Sequence, residues 1–326
     1  MQTAAVLVLE PIFEADLPPE QHAYRAGHDA LSAVSQVHSL LNQGHCEVVD
    51  ADLSGYFDTI PHEPLLKCVA RRVSDRQVLH LIKMWLTAAV EEADGHGGIK
   101  RTTGNRDSRR GIPQGSPISP LLSNLYMRRF ILGWRKLGHA ERYAAQIVNY
   151  ADDLVICCKG RGEEALRSMR QLMQRLKLTV NEEKTHVCRV PRDHFDFLGY
   201  TFGRCYSRRT GRAYLGTRPS KKSIRRMVGT ISAETARAKV GRSEEYVIRS
   251  LNRKLAGWAN YFRLGAVSAG YRALDQHTTL RLRRWLCKKH KGRRVAGSRY
   301  PDAYLYGKLG LIRLSKLTQS FPWAKA

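Results

Sequence analysis

The chain has 326 residues and a formal net charge of +26, with 55 Lys and Arg against 29 Asp and Glu. This length allows two or three domains with a sizeable core. No apolar run reaches about 18 residues, which argues against a membrane span, and the N-terminus lacks the basic flank and cleavage site of a signal peptide. We therefore expect no membrane partner.

The seven cysteines are scattered along the chain and form no C-x-x-C pair and no zinc-like cluster. An odd, scattered set of cysteines is typical of buried thiols in a reducing compartment. This pattern predicts a cytoplasmic location of the bacterial, intracellular type.

The positive charge is concentrated in the second part of the chain. Residues 1–200 carry 25 Lys and Arg against 24 Asp and Glu, whereas residues 201–326 carry 30 against 5. Such an excess indicates a polyanionic partner, most commonly nucleic acid. Aromatic residues interleaved with the charges favour nucleic acid over a merely supercharged surface or an anionic membrane patch. The chain thus divides near residue 205 into a charge-balanced body and a basic appendage.

The first predicted strand delivers an aspartate to its end. Residues 1–45 are expected to be helical or irregular, with Arg25 as the only Lys or Arg before residue 67. Val48-Val49 then begins a strand whose alternation places Asp50 and Asp52 on one face. Either aspartate alone could equally be a turn or N-cap residue. A helix follows from His62, and its apolar positions continue to Trp85.

A loop rich in Gly and Pro separates this helix from the next. Residues 91–110 are polar, glycine-rich and basic, which predicts a hairpin or a loop. In Gly111–Pro120, Ser116 and Pro117 are expected to be the N-cap and first position of a helix. Such a loop is either a plain connector or a rigid platform that a base or phosphate can approach.

Two adjacent carboxylates lie at the predicted tip of a hairpin. Apolar runs flank Tyr150-Ala-Asp-Asp153, which is typical of two strands joined by a tight turn. Adjacent like charges repel and push their pKa values apart. A divalent metal ion is therefore the expected partner of Asp152 and Asp153.

The remaining elements complete the body and form the basic appendage. A helix is predicted from Glu163 to Leu178, then a strand at Leu178–Val180 and a hairpin at Phe195–Phe202. The basic part contains three predicted helices, at residues 220–239, 246–262 and 274–290. Their apolar stripes predict a small bundle with basic outer faces.

The order of these elements is that of a polymerase palm. Mg²⁺ prefers oxygen ligands, and two such ions about 3.5–4 Å apart clamp the attacking and leaving oxygens of a phosphoryl displacement. Five motifs follow one another along the chain in the order found in one known family: Asp50–His62, Gly111–Asn124, Tyr150–Asp153, Asn181–Thr185 and Phe197–Tyr200. With these motifs, and with Leu251–Phe262 similar to a thumb region, the chain resembles the group II intron-encoded reverse transcriptases/maturases.

The resemblance implies a fold and a domain organisation. The expected class is α+β, a right-hand polymerase palm (an antiparallel sheet with helices) with partial fingers, followed by an α-helical thumb/maturase bundle. The implied domains are partial fingers at 1–45, a palm at 46–205 and a basic thumb/maturase region at 206–326. Residues 91–120 would connect fingers and palm.

The resemblance also implies roles for the acidic residues. Asp52, Asp152 and Asp153 would be catalytic metal-binding carboxylates, and the backbone carbonyl of Leu53 would be a further metal ligand. Lys184 would face the triphosphate and act as a general acid for pyrophosphate. The implied cofactor is a pair of Mg²⁺ ions, with Mn²⁺ as the alternative.

Substrate-binding roles follow in the same way. Phe57 would be the steric gate that favours deoxynucleotides, Gln114 and Gly115 would line the nascent base pair, and Arg25 would contact the nucleotide. The implied primer grip consists of Phe197, Leu198, Gly199 and Tyr200. The implied RNA-binding residues are Lys221, Lys222, Arg225, Arg253, Lys254, Arg283, Arg284, Lys288 and Lys289.

The implied activity is RNA-directed DNA synthesis combined with help to group II intron splicing and mobility. The partners would be an RNA template, the intron RNA, a DNA primer or target, and dNTPs. The family's Arg-Pro-Gly-Arg-Ser-Ala-x-Asp-Ala-Leu pattern is shortened here to Arg25–Leu31. The alternative is therefore a catalytically impaired RNA-binding maturase or truncated remnant that lacks the triphosphate clamp. The intron-like thumb argues against a host-domesticated or defence-type reverse transcriptase, and Phe57 argues against an RNA-dependent RNA polymerase. DNA cleavage is not expected, because the sequence shows no Cys/His-rich endonuclease domain.

Overall fold

The chain is described by a computed structural model over residues 1–93, 99–207, 210–291 and 299–317. It divides into two compact units, residues 1–190 and 191–326, each with its own hydrophobic core. The predicted α+β class is confirmed. The predicted domain boundaries at 45 and 205 stay predictions. The two compact units divide between residues 190 and 191, because Phe195–Phe197 pairs with Tyr200–Tyr206 and that strand pairs with Ala213–Pro219.

The first unit contains nine helices and six strands within its described residues. They are α1 (Gln2–Glu14), α2 (Ala30–Asn42), β1 (Glu47–Asp52), α3 (Tyr56–Thr59), α4 (His62–Val69), α5 (Arg76–Thr87), β2 (Val90–Ala93), β3 (Ile99–Thr102), α6 (Gly104–Ser108), α7 (Ser119–Lys136), α8 (His139–Arg142), β4 (Ala145–Tyr150), β5 (Asp153–Cys158), α9 (Gly162–Arg175) and β6 (His186–Arg189). Residues 91–110 were predicted to be a hairpin or a loop, and the pairing of β2 with β3 favours the hairpin; Gly95, Gly97 and Gly98 of that prediction lie outside the described residues.

A four-stranded antiparallel sheet with the order β4-β5-β1-β6 forms the centre of the first unit. Successive residues of its strands point to opposite faces of the sheet, and residues on both faces are buried, so the sheet is covered on two sides. Val49 and Ile156 belong to the large core that α7 and α9 also enter. Val48 and Val155, which point to the other face by alternation, are fully buried as well. Helix α2 packs against β4 and β5.

Helix α7 begins later than the sequence predicts. Ser119 is its first residue and Ile118 its N-cap, so the prediction of Ser116 and Pro117 as N-cap and first position is wrong. The side chain of Ser116 instead donates a hydrogen bond to Gln2 Oε1 at 2.6 Å. A start at Pro117 would put Pro120 in the fourth position, where its missing N–H and its ring would interfere with the helix.

The edge of the sheet also differs from the expectation. The strand predicted at Leu178–Val180 is reduced to one antiparallel bridge between Val180 and Leu53. The edge strand is β6, which pairs with β1 from Glu47↔Arg189 to Asp50↔His186. The apolar run Leu178–Val180 is too short to show by itself whether it will pair along its length.

The second unit joins a small sheet to a helical bundle. Its described elements are β7 (Phe195–Phe197), β8 (Tyr200–Tyr206), β9 (Ala213–Pro219), α10 (Lys221–Glu234), a 3₁₀ turn (Arg237–Lys239), α11 (Glu244–Tyr261), α12 (Ser268–Lys289), a π-helical segment (Ala303–Lys308) and α13 (Leu314–Leu317). Helix α10 packs against α11 and α12, which confirms the predicted three-helix bundle. The predicted stripe on α11 is confirmed by the burial of Val247, Leu251 and Leu255.

Two further expectations concern thiols and membrane spans. All seven cysteines are free, and five of them are buried. None of the described helices is both long enough and apolar enough to cross a membrane.

A buried carboxylate connects two helices and the turn between them. Glu234 at the end of α10 is 6% exposed and accepts hydrogen bonds from Lys254 and from Ser250 on α11. Lys239 approaches its Oε1 atom at 3.0 Å. Burial raises the pKa of Glu234, but the hydrogen bonds from Lys254, Lys239 and Ser250 outweigh it and bring the pKa down to about 2.

We expect Glu234→Gln to lower the free energy of unfolding by about 3 kcal/mol at pH 7, because two partly buried ammonium groups lose their counter-ion. The folded-state pKa lies below the unfolded one, so this stabilisation is present above pH ~5 and is lost as the pH falls toward 2. Denaturant titrations of both proteins at pH 7 and pH 3 measure the difference.

The matched control is Glu164→Gln, which removes an exposed ion pair with Arg161 and should leave the unfolding free energy nearly unchanged. A difference between wild type and Glu234→Gln that is equal at pH 7 and pH 3 would contradict the assignment.

Candidate active site

The register of β1 and β5 brings two aspartates side by side. Asp52, the last residue of β1, is the cross-strand partner of Asp153, the first residue of β5. Directly opposed residues of antiparallel strands have Cβ atoms about 4.5–5.5 Å apart. Asp152 precedes Asp153 in the turn and is exposed. The three predicted acidic residues therefore lie together at one end of the central sheet.

A buried amide fixes the turn that carries Asp152. Asn149 is fully buried, and its Nδ2 donates to the carbonyls of Ala151 at 2.9 Å and Asp153 at 3.1 Å. Ala151 has φ +55°, a left-handed conformation that costs a non-glycine residue about 1 kcal/mol. The backbone of Asn149 is in turn bonded to His22 and Glu20. The position of the acidic pair is thus set by the chain around it.

The segment after α9 holds the carboxylate of Asp52. Its Oδ2 accepts a hydrogen bond from Asn181 Nδ2 at 3.0 Å and lies 3.2 Å from the ammonium group of Lys184. The backbone N–H of Asp52 donates to Thr185 Oγ1 at 3.2 Å. Lys184 remains 68% exposed, so its ammonium group is free to move toward a bound ligand.

The site carries more negative charge than its one lysine balances. Burial raises the pKa of Asp153 to about 6, with the carboxylates of Asp152 and Asp52 adding to the effect and Lys184 opposing it. A group that resists ionisation beside two other acids is stabilised by a bound cation. The electrostatics of the three carboxylates therefore favour a positively charged ligand.

The donor set fits a hard divalent ion held partly by its substrate. Within the described residues, no three His, Cys, Asp or Glu side chains enclose a metal ion by themselves. Mg²⁺ usually takes only one or two carboxylates together with water and substrate phosphates. The oxygens of Asp52 and Asp153 can provide these carboxylate ligands. Leu53 is buried directly after Asp52; metal binding by its carbonyl stays a prediction.

A cavity of about 590 Å³ lies beside the acidic residues. Phe57, Gln114, Gly115 and Asp152 line it, together with Tyr24. The structure therefore brings together three residues predicted to contact the nucleotide and one predicted metal ligand. Their roles in binding stay predictions.

Backbone hydrogen bonds hold the loop of Gln114 against the residues of the predicted gate. Ile112 N–H donates to the carbonyl of Phe57 at 2.7 Å, and the amide of Gln114 lies 3.3 Å from a carboxylate oxygen of Asp58. Gly115 has φ +81°, and no atom lies within 4 Å of the position that a Cβ would take. The backbone at Gly115 is therefore open to a ligand in the cavity.

Arg25 has a structural role that its sequence context does not reveal. Its side chain is 7% exposed and forms an ion pair with Glu14 at 2.6 Å. The guanidinium group also donates to the carbonyls of Pro18 and Gln21. Nucleotide binding by Arg25 stays a prediction, and these contacts do not favour it.

The predicted primer grip lies on the β7–β8 hairpin of the second unit. Phe197 and Tyr200 are buried, whereas Leu198 and Gly199 form the half-buried tip with φ +49° and +78°. Ser223 Oγ donates to the carbonyl of Gly199 at 2.9 Å. Contact with a primer stays a prediction, and only the two tip residues offer surface for it.

The nine predicted RNA-binding residues fall into two groups. Six are exposed: Lys221, Lys222, Arg225, Arg253, Arg284 and Lys288. The other three are partly buried and bonded within the unit, because Lys254 donates to Glu234, Arg283 to Asp302, and Lys289 to backbone carbonyls. RNA binding stays a prediction for all nine, and the exposed six are better placed for it.

Three residues at the site were not predicted. Asn149, Asn181 and Tyr24 respectively hold the turn, hold Asp52 and line the cavity. Asn181 begins a motif that the sequence does show, and its spacing from Lys184 was the available signal. Nothing local distinguishes Asn149 or Tyr24 from ordinary core and loop residues.

Known proteins resemble this chain over much of its length. Protein YkfC of Escherichia coli (strain K12) is 31% identical over 258 residues, which cover 68% of this chain and 65% of that protein. Group II intron-encoded protein LtrA of Lactococcus lactis subsp. cremoris is 27% identical over 190 residues, covering 57% and 28%. The chain thus spans less than two thirds of either relative.

The structure of telomerase from Candida albicans, in complex with a fragment of telomeric RNA, has a TM-score of 0.46 at 10% identity. The match covers 96% of this chain and 58% of the telomerase chain.

Family models match both units. Residues 1–202 match "Reverse transcriptase (RNA-dependent DNA polymerase)", and residues 224–301 match "Group II intron, maturase-specific domain". The antiparallel sheet with its helices is accordingly a reverse transcriptase palm with fingers, followed by a helical C-terminal part. The chain belongs to the reverse transcriptase family and is of the group II intron reverse transcriptase/maturase type, as its motifs predict.

Proposed function

We propose that the chain is an RNA-directed DNA polymerase that adds dNTPs to a DNA primer on an RNA template and also binds group II intron RNA to assist splicing and mobility. The observation that carries this proposal is the cross-strand pair Asp52 and Asp153 beside a cavity that contains Phe57 and Gln114. Acidic groups next to a nucleotide-sized cavity are what template-directed phosphoryl transfer requires.

The residues at the end of the sheet divide the chemistry between them. Asp52, Asp152 and Asp153 would hold two Mg²⁺ ions, or Mn²⁺ instead, and these ions would supply the positive charge that phosphoryl displacement needs. Asn181 orients the carboxylate of Asp52 through its 3.0 Å hydrogen bond. Lys184, mostly exposed and 3.2 Å from Asp52, gives a proton to the departing pyrophosphate.

The cavity selects the nucleotide. Phe57 is half-buried and packs edge-on against Tyr56 with ring centroids 5.7 Å apart, so its ring cannot move away readily. A ring in that place excludes a ribose 2′-OH. Gln114 and the open backbone of Gly115 contact the nascent base pair.

The second unit binds the intron RNA. Its exposed cations, on α10, α11 and α12, neutralise phosphates and make binding depend on salt. The cytoplasmic location predicted from the cysteines is part of this proposal, and all seven free thiols support it.

One observation favours the alternative of a catalytically impaired maturase. Arg25 is the only Lys or Arg before residue 67, and Glu14 binds its guanidinium group. It is therefore not free to hold a triphosphate. Primer extension separates the two functions, since an impaired maturase binds RNA without synthesising cDNA.

We expect Asp152→Asn to reduce Mg²⁺-dependent primer extension on an RNA template at least about 100-fold. Asp152 is exposed, so the variant should fold. The matched control Glu183→Gln changes another exposed acid near the site and should retain activity. Wild-type protein that is folded, binds RNA and makes no cDNA would reject the polymerase and favour the alternative.

We expect Phe57→Val to weaken the preference for dNTPs over rNTPs at least about 10-fold, because a smaller side chain leaves room for the 2′-OH. Single-nucleotide incorporation with each substrate measures the ratio. Phe57→Tyr keeps the ring and should keep the preference. An unchanged ratio in Phe57→Val would exclude Phe57 as the gate.

We expect Asp153→Asn to raise the free energy of unfolding of the metal-free protein by about 1–2 kcal/mol, because it removes a desolvated charge beside two others. Mg²⁺ should then stabilise the wild type more than the variant. Denaturation with EDTA and with Mg²⁺ measures both effects. A variant that is less stable in EDTA, or an equal Mg²⁺ effect on both proteins, would argue against the cation site.

A further inference from the structure

A second cavity of the first unit lies among α4, α5 and α6. It has a volume of about 1140 Å³ and shares no lining residue with the cavity at the acidic site. Its lining includes one acidic residue and seven basic ones. The basic residues are Lys67, Arg76, Lys83, Arg106, Arg109, Arg110 and Lys177. We call this cavity the α4–α6 groove.

The charge of the groove does not follow from the composition of the unit. Residues 1–190 carry 24 Lys and Arg against 22 Asp and Glu, so a patch of seven cations and one acid is a local concentration. The acid, Glu63, forms an ion pair with Lys67 at 2.7 Å. Within the described part of the chain, no salt bridge engages the other six cations. The groove is therefore strongly attractive to a polyanion.

The cations are arranged along the groove rather than at one point. On α5, Arg76, His80, Lys83 and Thr87 follow one another at the spacing of a single helix face. Arg76 and Lys83 are thus about 10 Å apart along the helix axis. Helix α6 packs against α5 and adds Arg106. An extended ligand with repeated charges matches this arrangement better than one isolated phosphate does.

The uncharged part of the lining indicates which polyanion fits. The guanidinium groups are common phosphate partners. The hydroxyl groups of Thr87 and Ser108 donate to the carbonyls of Lys83 and Gly104, and their oxygens can accept a hydrogen bond from a ribose 2′-OH. The lining contains no Phe, Tyr or Trp, the large aromatic side chains on which successive unpaired bases stack best. Of its two histidines, His62 is buried. Base-paired RNA is recognised mostly through its phosphates and 2′-hydroxyls.

We propose that the α4–α6 groove is an RNA-binding surface that takes the sugar–phosphate backbone of a base-paired RNA segment, independently of the basic helices of the second unit. This inference rests on the proposed function only in that the chain binds RNA; it does not depend on catalysis at Asp52 and Asp153. Recognition in the groove is insensitive to base sequence, because its donors reach backbone groups.

The test is a charge-neutralised variant of the full chain, Arg76→Gln/Lys83→Gln/Arg106→Gln, with Lys136→Gln/Arg167→Gln/Arg175→Gln as its control. All six side chains are exposed, and the control trio lies in the same unit outside the groove, so both variants have the same net charge. Binding to a fully base-paired RNA hairpin is titrated over a range of salt concentrations, with thermal unfolding as the check on folding.

We expect the groove variant to bind the hairpin about 10- to 100-fold more weakly than the wild type at moderate salt, with a salt dependence shallower by about two to three charges. The control should bind within about twofold of the wild type. Extension of a short primer–template should be nearly unchanged in the groove variant.

Three outcomes would overturn the proposal. If both variants bound the hairpin equally weakly, the lower net charge of the protein would explain the loss, and the groove would have no specific role. A loss confined to single-stranded RNA of the same length would exclude the base-paired ligand. Lost binding to phosphatidylglycerol vesicles with RNA binding intact would assign the groove to a membrane surface. If no protein extends a primer while the groove variant alone loses hairpin binding, the polymerase proposal fails and the groove proposal stands.

Discussion

The antiparallel register of β1 and β5 is the constraint on which the rest of the first unit depends. Apolar residues of both strands, such as Val49 and Ile156, are buried in the core. A slip of one residue would exchange the side chains of the two buried faces, disrupt the packing on both, and separate Asp52 from Asp153. The burial of each large apolar side chain stabilises this register by about 1.5–3 kcal/mol. The register in turn holds together two acids that repel each other. The hydrophobic core stabilises an arrangement that its charges disfavour.

Polar side chains from distant parts of the chain refine that arrangement. Asn181 is 129 residues from Asp52 in sequence, yet it bonds its carboxylate. Asn149 fixes the turn through two carbonyls. Because these amides satisfy the groups around the acids, the acids keep free oxygen atoms for a ligand. Rigid support of this kind is what the proposed metal site requires.

Local patterns were enough to predict the strands and helices around the site, and distant contacts were not. Alternation and the Tyr150–Asp153 turn predicted the β4–β5 hairpin, and the stripe on α11 predicted its buried face. The start of α7 at Ser119 depends on where Pro120 can be accommodated, and the edge strand β6 depends on pairing with β1. A short stretch of sequence does not show where α7 starts or that β6 is the edge strand, because contacts with distant parts of the chain decide both.

The basic residues show most clearly what composition can and cannot decide. Lys254 and Arg253 are neighbours on α11, but Lys254 neutralises buried Glu234 whereas Arg253 is exposed. Arg25 is likewise taken by Glu14. A charge count gives equal weight to all of them, although a cation that already neutralises a buried acid cannot bind a phosphate without leaving that acid unpaired. Contacts, rather than counts, therefore separate structural cations from those available to RNA. By this criterion Arg76, in the charge-balanced unit, is a stronger candidate than Lys254 in the basic one.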